Sequence, residues 1–224
     1  MHFEPNQTLT DQVYSEIISR IQEDDNSVPV ERGPFTYYSR TVKGLNYPIY
    51  ARTPKGSDVE EILLDQNKMA HEYMDLGAIK ATPDHKVLGY ALDTDGSENY
   101  AIYFKDLASG ALINTDTIPK AAGGFVWTND SEAVYYTTLD CIHRPYKVFR
   151  HVLGSDPKDD QLIFHETDEK FFVGVYKSNS EDYIFIHTGS TLTEETYYLE
   201  AKDARAGMRF VLCHRVPHSQ PCPS

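Results

Sequence analysis

The chain has 224 residues and a formal net charge of −13, and it contains 16 tyrosines and 10 phenylalanines. This length is enough to bury a sizeable core, and the many large aromatic side chains favour strands over helices. The negative charge repels the phosphates of DNA and RNA, so no nucleic-acid partner is expected, while short basic peptides would be attracted. On charge alone, a well-hydrated acidic surface is the simpler interpretation.

The cysteines and the hydropathy pattern bear on the cellular compartment. Cys141, Cys213 and Cys222 form an odd and sparse set. The chain does not begin with the basic and apolar regions of a secretory signal, and no apolar stretch is long enough to cross a bilayer. A reducing compartment, most simply the cytosol, is therefore predicted, and no membrane partner is expected.

The amino-terminal segment differs from the rest of the chain. Its spacing predicts a helix over residues 10–23 with one apolar face, formed by Val13, Tyr14, Ile17, Ile18 and Ile21. Such a face must pack against something. Pro29 and the Gly33-Pro34 pair end helical structure, so residues 1–30 are interpreted as a helix and a connector.

An internal repeat of about fifty residues dominates the remaining sequence. Its turn occurs three times, as Thr82-Pro83-Asp84, Thr128-Asn129-Asp130 and Ser178-Asn179-Ser180. An aromatic-rich strand is predicted after each turn, at residues 87–92, 133–138 and 183–187. Repeats of this length built from antiparallel strands are typical of β-propellers.

The predicted strands group into modules that we number along the chain. Module 1 contains a hairpin of strands 35–41 and 47–52 around Lys43-Gly44, followed by a strand at 61–64. Modules 2, 3 and 4 are predicted at about residues 73–113, 124–164 and 171–200. A propeller needs about four to eight blades, and roughly three and a half are visible, so the chain is predicted to hold only part of one.

Residues 204–224 depart from the repeat and are interpreted as a divergent tail. No acidic residue follows Asp203, and prolines interrupt the segment at Pro217, Pro221 and Pro223. No hallmark of the repeat is recognisable after Phe210.

Several motifs, in this order, resemble the amino-terminal propeller of oligopeptidase B, in the prolyl oligopeptidase family of serine peptidases. The first are YYSR at 37–40, YPIYAR at 47–52 and EEILLDQN at 60–67. They are followed by TPD at 82–84, GYALDTDGSE at 89–98, VWTND at 126–130 and RPYKVFRH at 144–151. The resemblance covers about residues 9–203.

The resemblance implies a two-domain peptidase in which a seven-bladed propeller covers an α/β-hydrolase domain, admits only short peptides and permits cleavage after Lys or Arg. It also implies that the initial helix packs against the hydrolase domain. The predicted fold is all-β: a partial propeller of about three to four antiparallel blades over residues 31–203, preceded by one amphipathic helix. The family's Ser, Asp and His triad matches no position here, so no catalytic residue is assigned.

Two serine turns and one acidic turn invite a chemical interpretation, but a structural one is favoured. No G-x-S-x-G nucleophile elbow occurs, so Gly154-Ser155 and Gly189-Ser190 are interpreted as turns. The segment 93–98, DTDGSE, suggests a calcium loop. Its glycine comes too early for an EF-hand, and Asp-Gly between two strands is above all a hairpin signal.

The remaining candidates are histidines, cysteines and aromatic residues. Four of them lie close together but match no standard zinc spacing, namely Cys213, His214, His218 and Cys222. His143 and His151 are expected to satisfy hydrogen bonds, and Trp127 to pack between blades rather than to line a peptide channel. We assign no metal and no cofactor.

Two acidic loops offer a functional possibility. The carboxylates that would attract cationic peptides toward a pore are Asp156, Asp159 and Asp160 in one loop and Glu166, Asp168 and Glu169 in the other. Solvated loop charge is the simpler account.

The sequence thus predicts the propeller part of an oligopeptidase B-like serine endopeptidase, with the propeller gating access of short Lys- or Arg-containing peptides. Without the catalytic domain, the chain is predicted to be inactive. The alternative is a stand-alone interaction module without catalysis. A closed module would require a strand after Phe210 that pairs with module 1, whereas part of a larger propeller would leave open blade edges.

Overall fold

The computed structural model describes residues 7–69, 73–113 and 116–202, together with the backbone of one further strand at 209–213. The chain divides into two compact units, Met1–Ala70 and His71–Ser224. Within the described residues, the first unit contains helix α1 (Gln7–Ser19) and strands β1 (Asp25–Asn26), β2 (Val30–Arg32), β3 (Phe35–Thr41), β4 (Ile49–Pro54) and β5 (Glu61–Asp65).

The second unit contains eleven strands in the residues described. They are β6 (Asp75–Ala81), β7 (Val87–Asp93), β8 (Tyr100–Asp106), β9 (Ile118–Trp127), β10 (Ala133–Leu139), β11 (Pro145–Val152), β12 (Gln161–His165), β13 (Phe172–Lys177), β14 (Tyr183–Gly189), β15 (Glu194–Glu200) and β16 (Arg209–Cys213). All of the paired strands run antiparallel, and the prediction of an all-β partial propeller is confirmed.

Module 1 is the sheet of the first unit, with the strand order β1-β3-β4-β5 and with β2 also paired to β3. The predicted hairpin is confirmed, since β3 pairs with β4 from Phe35 opposite Pro54 to Arg40 opposite Ile49. β4 begins two residues later than predicted. Pro48 has no N–H to give to a strand ladder, and the Tyr47 N–H donates to Asn67 Oδ1 at 3.0 Å instead.

The amino-terminal helix is confirmed, but it is shorter than predicted at its carboxyl end. The chain after Ser19 is drawn into the module 1 sheet, because Thr41 Oγ1 donates to the Glu23 carbonyl at 2.7 Å and the Lys43 N–H donates to Asp24 Oδ1 at 2.8 Å. No residue of α1 is buried. The apolar face predicted from the sequence is therefore exposed, at Val13, Tyr14 and Ile17 within the helix and at Ile21 just beyond it.

Modules 2 and 3 share one seven-stranded sheet, with the order β12-β11-β10-β9-β8-β7-β6. The long strand β9 belongs to both. Its beginning pairs with β8, and its end pairs with β10, where Trp127 lies opposite Val134. Gly123 has a φ of 84°, a value that favours glycine, and it lies where β9 passes from one module to the next.

Module 4 is the four-stranded sheet β13-β14-β15-β16. Its last strand, Arg209–Cys213, pairs with β15 and lies inside the segment 204–224 that the sequence sets apart. This strand carries no aromatic alternation like that of the earlier repeats, which is why the pattern alone did not reveal it. The other tail residues, 204–208 and 214–224, lie outside the described residues.

The three repeat turns have the same hydrogen bonds. The first residue of each turn donates its N–H to a carbonyl five residues later, from Thr82 to Val87 at 2.8 Å, from Thr128 to Ala133 at 2.9 Å and from Ser178 to Tyr183 at 2.9 Å. The fourth residue is left-handed in each case, with φ of 62° at His85, 65° at Ser131 and 63° at Glu181. The repeat predicted from the sequence is confirmed in backbone geometry.

Each module of the second unit packs on the next through apolar side chains. One core joins modules 2 and 3 and includes Ala91, Phe104, Phe125, Trp127, Val134 and Tyr136. A second core joins modules 3 and 4 and includes Val126, Tyr135, Val148, Val173, Ile184, Ile186 and Leu199. Module 3 is thus apolar on both faces, and the expected role of Trp127 in packing between blades is confirmed.

In modules 2 and 3, an aspartate side chain closes the turn between the second and third strands, that is, between β7 and β8 and between β10 and β11. Asp93 accepts hydrogen bonds from the N–H groups of Asp95, Gly96 and Glu98. Asp140 accepts from the Arg144 N–H at 3.0 Å in the same way. The hairpin-turn interpretation of segment 93–98 is confirmed. Burial would raise the pKa of Asp93, but its several N–H donors outweigh that effect and hold the pKa below its ordinary value.

We expect the substitution Gly89→Ala to destabilise the interface between modules 2 and 3. A Cβ at Gly89 would lie 2.9 Å from the Phe125 ring and 3.0 Å from Trp127. Overpacking of this kind costs about 1–3 kcal/mol of unfolding free energy, which urea denaturation measures. The matched control is Gly124→Ala, where a Cβ meets nothing within 4 Å. Equal losses for the two variants would contradict the assignment of Gly89 to close packing.

We expect acid to weaken the turns closed by Asp93 and Asp140. The folded pKa of each carboxyl lies below the unfolded value of about 3.9, so their contribution is present above that pH and is lost as pH falls through the folded pKa. Urea denaturation from pH 6 to pH 2 should show this loss, and Asp93→Asn should make the pH dependence shallower. An unchanged slope in the variant would argue against the role given to Asp93.

Candidate functional site

The first acidic loop, between β11 and β12, separates into exposed and buried carboxylates. Asp156 and Asp159 are exposed, and the Asp156 side chain accepts the Lys158 N–H at 3.0 Å at the start of a single 3-10 turn, Pro157–Asp159. The Asp160 side chain is only 2% exposed. The expectation that all three carboxylates offer surface charge is therefore wrong for Asp160.

Asp160 belongs to a buried polar cluster. Its Oδ1 lies 2.8 Å from His151 Nδ1, and its Oδ2 accepts a hydrogen bond from the Tyr136 hydroxyl at 2.7 Å. On the other side of the imidazole, His151 Nε2 lies 3.8 Å from Asp116 Oδ2, and the Gly154 N–H donates to that carboxylate. The prediction that His151 satisfies a hydrogen bond is confirmed, and the cluster fixes the loop to module 3.

Two aromatic neighbours complete this cluster. The Phe104 ring stacks on the His151 imidazole, with 5.7 Å between centroids and an interplanar angle of 6°. Burial, followed by the hydrogen bond to Asp160, raises the pKa of Tyr136 above its ordinary value. The Tyr136 hydroxyl therefore stays protonated and donates to Asp160 throughout the physiological pH range.

The second acidic loop, between β12 and β13, divides in the same way. Glu166 is buried, where its Oε1 accepts the Asp168 N–H and its Oε2 accepts the Thr188 hydroxyl, each at 2.9 Å. Asp168 and Glu169 are exposed. Glu166 therefore joins the connector to module 4, and the expectation that it offers surface charge is wrong.

Arg144 is a structural residue that sequence analysis did not single out. Its guanidinium is buried and donates to Asp140 Oδ2 at 2.9 Å, to the Asp168 carbonyl at 3.0 Å and to the Phe171 carbonyl at 2.9 Å. It thereby holds the second acidic loop against the turn between β10 and β11. The sequence feature that points to this residue is the motif at 144–151, in which Arg144 directly precedes strand β11.

The two acidic loops do not form one site. The first precedes β12 and the second follows it, so the five residues of that strand separate them by about 16 Å. The carboxylates left for long-range attraction of cations are Asp156, Asp159, Asp168 and Glu169. They can raise the local concentration of a cationic ligand, but they provide no single binding pocket.

The serine candidates lie in turns. Ser155 Oγ donates to the Val152 carbonyl at 2.7 Å, and Ser190 Oγ donates to the Thr193 carbonyl at 3.3 Å. Neither serine is hydrogen-bonded to a histidine within the described part of the chain, which is the contact that would activate a nucleophilic hydroxyl. His143 is exposed at the left-handed position of its turn, with φ of 61°.

The side chains of the four zinc candidates lie outside the part of the chain that the structure describes. His214, His218 and Cys222 lie outside the described residues, as does the side chain of Cys213, while Cys141 is exposed. Across residues 7–69, 73–113 and 116–202, no three His, Cys, Asp or Glu side chains converge as metal ligands would. None of the helices in that same part of the chain is long and apolar enough to cross a membrane.

Comparison with known proteins identifies the architecture. Residues 2–217 match the family described as prolyl oligopeptidase, N-terminal beta-propeller domain. The chain is 36% identical over 217 residues to Protease 2 of Moraxella lacunata, which covers 92% of the chain and 31% of that protein. It is 33% identical over 210 residues to dipeptidyl aminopeptidase BI of Pseudoxanthomonas mexicana, which covers 85% of the chain and 29% of that protein.

Solved structures show the same similarity. Oligopeptidase B from Leishmania major superimposes with a TM-score of 0.89 at 30% identity, covering 94% of this chain and 30% of that one. Oligopeptidase B from Trypanosoma brucei, in a closed form with covalently bound antipain, gives a TM-score of 0.85 at 30% identity, with the same two coverages. The chain thus spans about a third of the length of these relatives, and it belongs to the N-terminal β-propeller domain of the prolyl oligopeptidase family.

Proposed function

We propose that this chain is the substrate-gating propeller of a serine peptidase that hydrolyses short peptides after Lys or Arg. The observation that carries the proposal is the similarity to oligopeptidase B along 94% of the chain, with a TM-score of 0.89. The Trypanosoma brucei relative holds a covalently bound ligand, which is the kind of complex that a nucleophilic active-site residue forms. The catalytic nucleophile and its base would lie in the part of the longer protein outside this chain.

The contribution of this chain would be shape and charge rather than chemistry. Modules 2, 3 and 4 form stacked sheets that could cover a hydrolase domain, and the net charge of −13 attracts cationic peptides. The exposed carboxylates Asp156, Asp159, Asp168 and Glu169 would take part in this attraction, while Asp160 and Glu166 would keep the two loops in place. The sparse cysteines support a reducing compartment, for which we propose the cytosol.

We expect the isolated chain to be inactive toward a chromogenic peptide that carries Lys or Arg before the scissile bond. No G-x-S-x-G elbow occurs in the sequence, and within the described residues Ser155 Oγ and Ser190 Oγ donate to backbone carbonyls, so neither is activated as a nucleophile for acyl transfer. The measurement is release of the chromophore with and without a serine-directed inhibitor. Turnover that the inhibitor abolishes would overturn the proposal that the catalytic residues lie elsewhere.

The exposed carboxylates should affect cleavage through charge. In a chimera of this chain with the remainder of Moraxella lacunata Protease 2, we expect Asp156→Asn with Asp159→Asn to lower kcat/KM for a Lys or Arg peptide about two- to fivefold at low ionic strength. The effect should disappear at high salt, because exposed charges are screened. A loss that persists at high salt, or an equal loss with a neutral peptide, would exclude steering by charge.

The buried carboxylate of the same loop should affect stability instead. We expect Asp160→Asn to lower the unfolding free energy of the chain by about 3 kcal/mol, because it leaves the His151 and Tyr136 partners imperfectly matched in a buried site. The exposed control Asp159→Asn should change it by less than about 0.5 kcal/mol. Urea denaturation distinguishes the two, and equal effects would mean that Asp160 is not the anchor of its loop.

A further inference from the structure

The last strand of module 3 is an open sheet edge. Within the described residues, β12 pairs only with β11 and ends the order of the seven-stranded sheet. The Glu166 N–H, directly after the strand, donates inward to the Tyr146 carbonyl at 2.8 Å. Because backbone groups alternate in direction along an antiparallel strand, the His165 N–H and carbonyl point away from β11. An extended chain beside β12 can therefore exchange backbone hydrogen bonds with it.

This edge lacks most of the features that prevent a sheet from pairing further. Charged residues and proline usually protect an edge strand, and the sequence of β12, QLIFH, contains neither. The edge strand β5 of module 1, by contrast, begins with Glu61 and ends with Asp65. A bulge at Ile163 is the only irregularity of β12. Ile163 and Phe164 pack on the core of modules 3 and 4, while Leu162 is 48% exposed. The strand is thus anchored on one side and accessible on the other.

The two acidic loops lie at the two ends of this edge. The first directly precedes β12 and the second directly follows it. Each loop contains three acidic residues and one lysine, so each is negative. In the first loop, the Lys158 ammonium lies 3.6 Å from Asp156. Asp159 and Glu169 are exposed, and neither forms an ion pair within the described part of the chain. A cation beyond either end of β12 would therefore meet an unpaired carboxylate.

The charges within the span of β12 have the opposite sign. Lys147 and Arg150 lie on the neighbouring strand β11, opposite His165 and Gln161. A cation placed over the middle of β12 would be repelled by these two side chains, whereas one placed beyond the strand would be attracted by a loop. The charge pattern along the edge is therefore negative, positive and negative.

We infer that the edge of β12 binds an extended peptide segment, by strand addition, that carries one basic residue at each end and uncharged residues between. The five residues of β12 span about 16 Å, so the two basic residues would be about six positions apart in order to reach beyond both ends. Backbone hydrogen bonds to His165 would contribute affinity, and the two loops would select the charges. This inference concerns binding by the chain itself and does not depend on the longer protein being a peptidase.

A second copy of the chain fits this edge less well than a basic segment does. Pairing of β12 with β12 of another copy, in either direction, would place an acidic loop of one copy beside an acidic loop of the other. Each copy also carries a net charge of −13. Like charges placed opposite each other destabilise strand pairing, so charge complementarity favours the basic peptide.

The test uses the 224-residue chain and a labelled peptide with blocked ends, Lys-Thr-Val-Thr-Val-Thr-Lys, whose binding is followed by fluorescence anisotropy at low ionic strength. We expect His165→Pro to lower the association constant about fivefold, as for one net hydrogen bond, because proline removes an outward N–H without removing a bond to β11. The matched control is His165→Ala. It loses the same ring contact with Tyr146 but keeps the N–H, and it should lower the constant less than about twofold.

A second comparison leaves the protein unchanged, so it holds even where His165→Pro does not fold. The same peptide with N-methylated valines keeps both lysines but loses backbone donors, and it should bind at least about fivefold more weakly. A peptide with glutamates in place of the lysines should not bind, and Asp159→Asn with Glu169→Gln should weaken binding of the lysine peptide at low salt only.

Three outcomes would overturn the inference. The first is absence of binding by the lysine peptide at low ionic strength. The second is equal binding of the N-methylated peptide, which would mean attraction by charge without strand addition. The third is self-association of the chain, measured by sedimentation, that His165→Pro abolishes and the peptide does not compete with, which would identify a second copy as the occupant. None of these outcomes bears on the proposed peptidase, whose test is turnover of a chromogenic substrate.

Discussion

The structure depends on one constraint, which is that a four-stranded sheet with apolar side chains on both faces has to be covered on both. Module 3 is packed against a neighbouring module on both faces. Val134 and Tyr136 on one face pack against module 2, and Val126 and Tyr135 on the other pack against module 4. At about 25 cal/mol for each Å² of apolar surface buried, two such interfaces make the modules interdependent rather than separately stable. The alternation of the strands, the glycines that admit large rings and the turns that join neighbouring modules all serve these interfaces.

Polar groups between the modules follow the same constraint, because a buried donor or acceptor without a partner costs free energy. Trp127 is an example of a buried side chain whose donor has a hydrogen-bond partner. Its ring fills the core between modules 2 and 3, while its Nε1–H donates to the Lys80 carbonyl at 2.9 Å. Lys80 Nζ in turn donates to the Phe125 carbonyl at 2.7 Å. Arg144, Asp160 and Glu166 do the same for the connecting loops, so several charged residues of this acidic chain serve packing and not recognition.

In the proposed peptidase, the buried carboxylates would stabilise the fold, and the exposed carboxylates would face the solvent and the substrate. A peptide approaching the propeller would meet the exposed carboxylates at the two ends of β12, but not Asp160 or Glu166. The long-range field of the chain depends on its net charge and survives the loss of any one exposed carboxylate. The buried carboxylates are individually important for the opposite reason, since each one satisfies specific donors that have no access to water.

The sequence by itself determined the class of fold, the repeat and the family resemblance. The strands after the three repeat turns, the module 1 hairpin and the apolar helix face follow from side-chain periodicity and turn residues, which are local properties. Strand β16 was missed because it lacks the aromatic pattern of the other repeats and forms by pairing with β15. The helix end was misplaced because residues 23–26 are drawn into the sheet by Thr41 and Lys43.

Only the tertiary structure decided which charged residues are buried. Asp159 and Asp160 are adjacent in an acidic loop, and nothing local distinguishes them. The difference arises because His151 and Tyr136, from two other strands, converge on Asp160 and leave Asp159 in solvent. In the same way, the burial of Glu166 depends on Thr188, and the place of Arg144 depends on carbonyl groups more than twenty residues away. Contacts between residues distant in sequence leave no periodic signal, so the packing of the modules, and not their composition, sets the role of each of these residues.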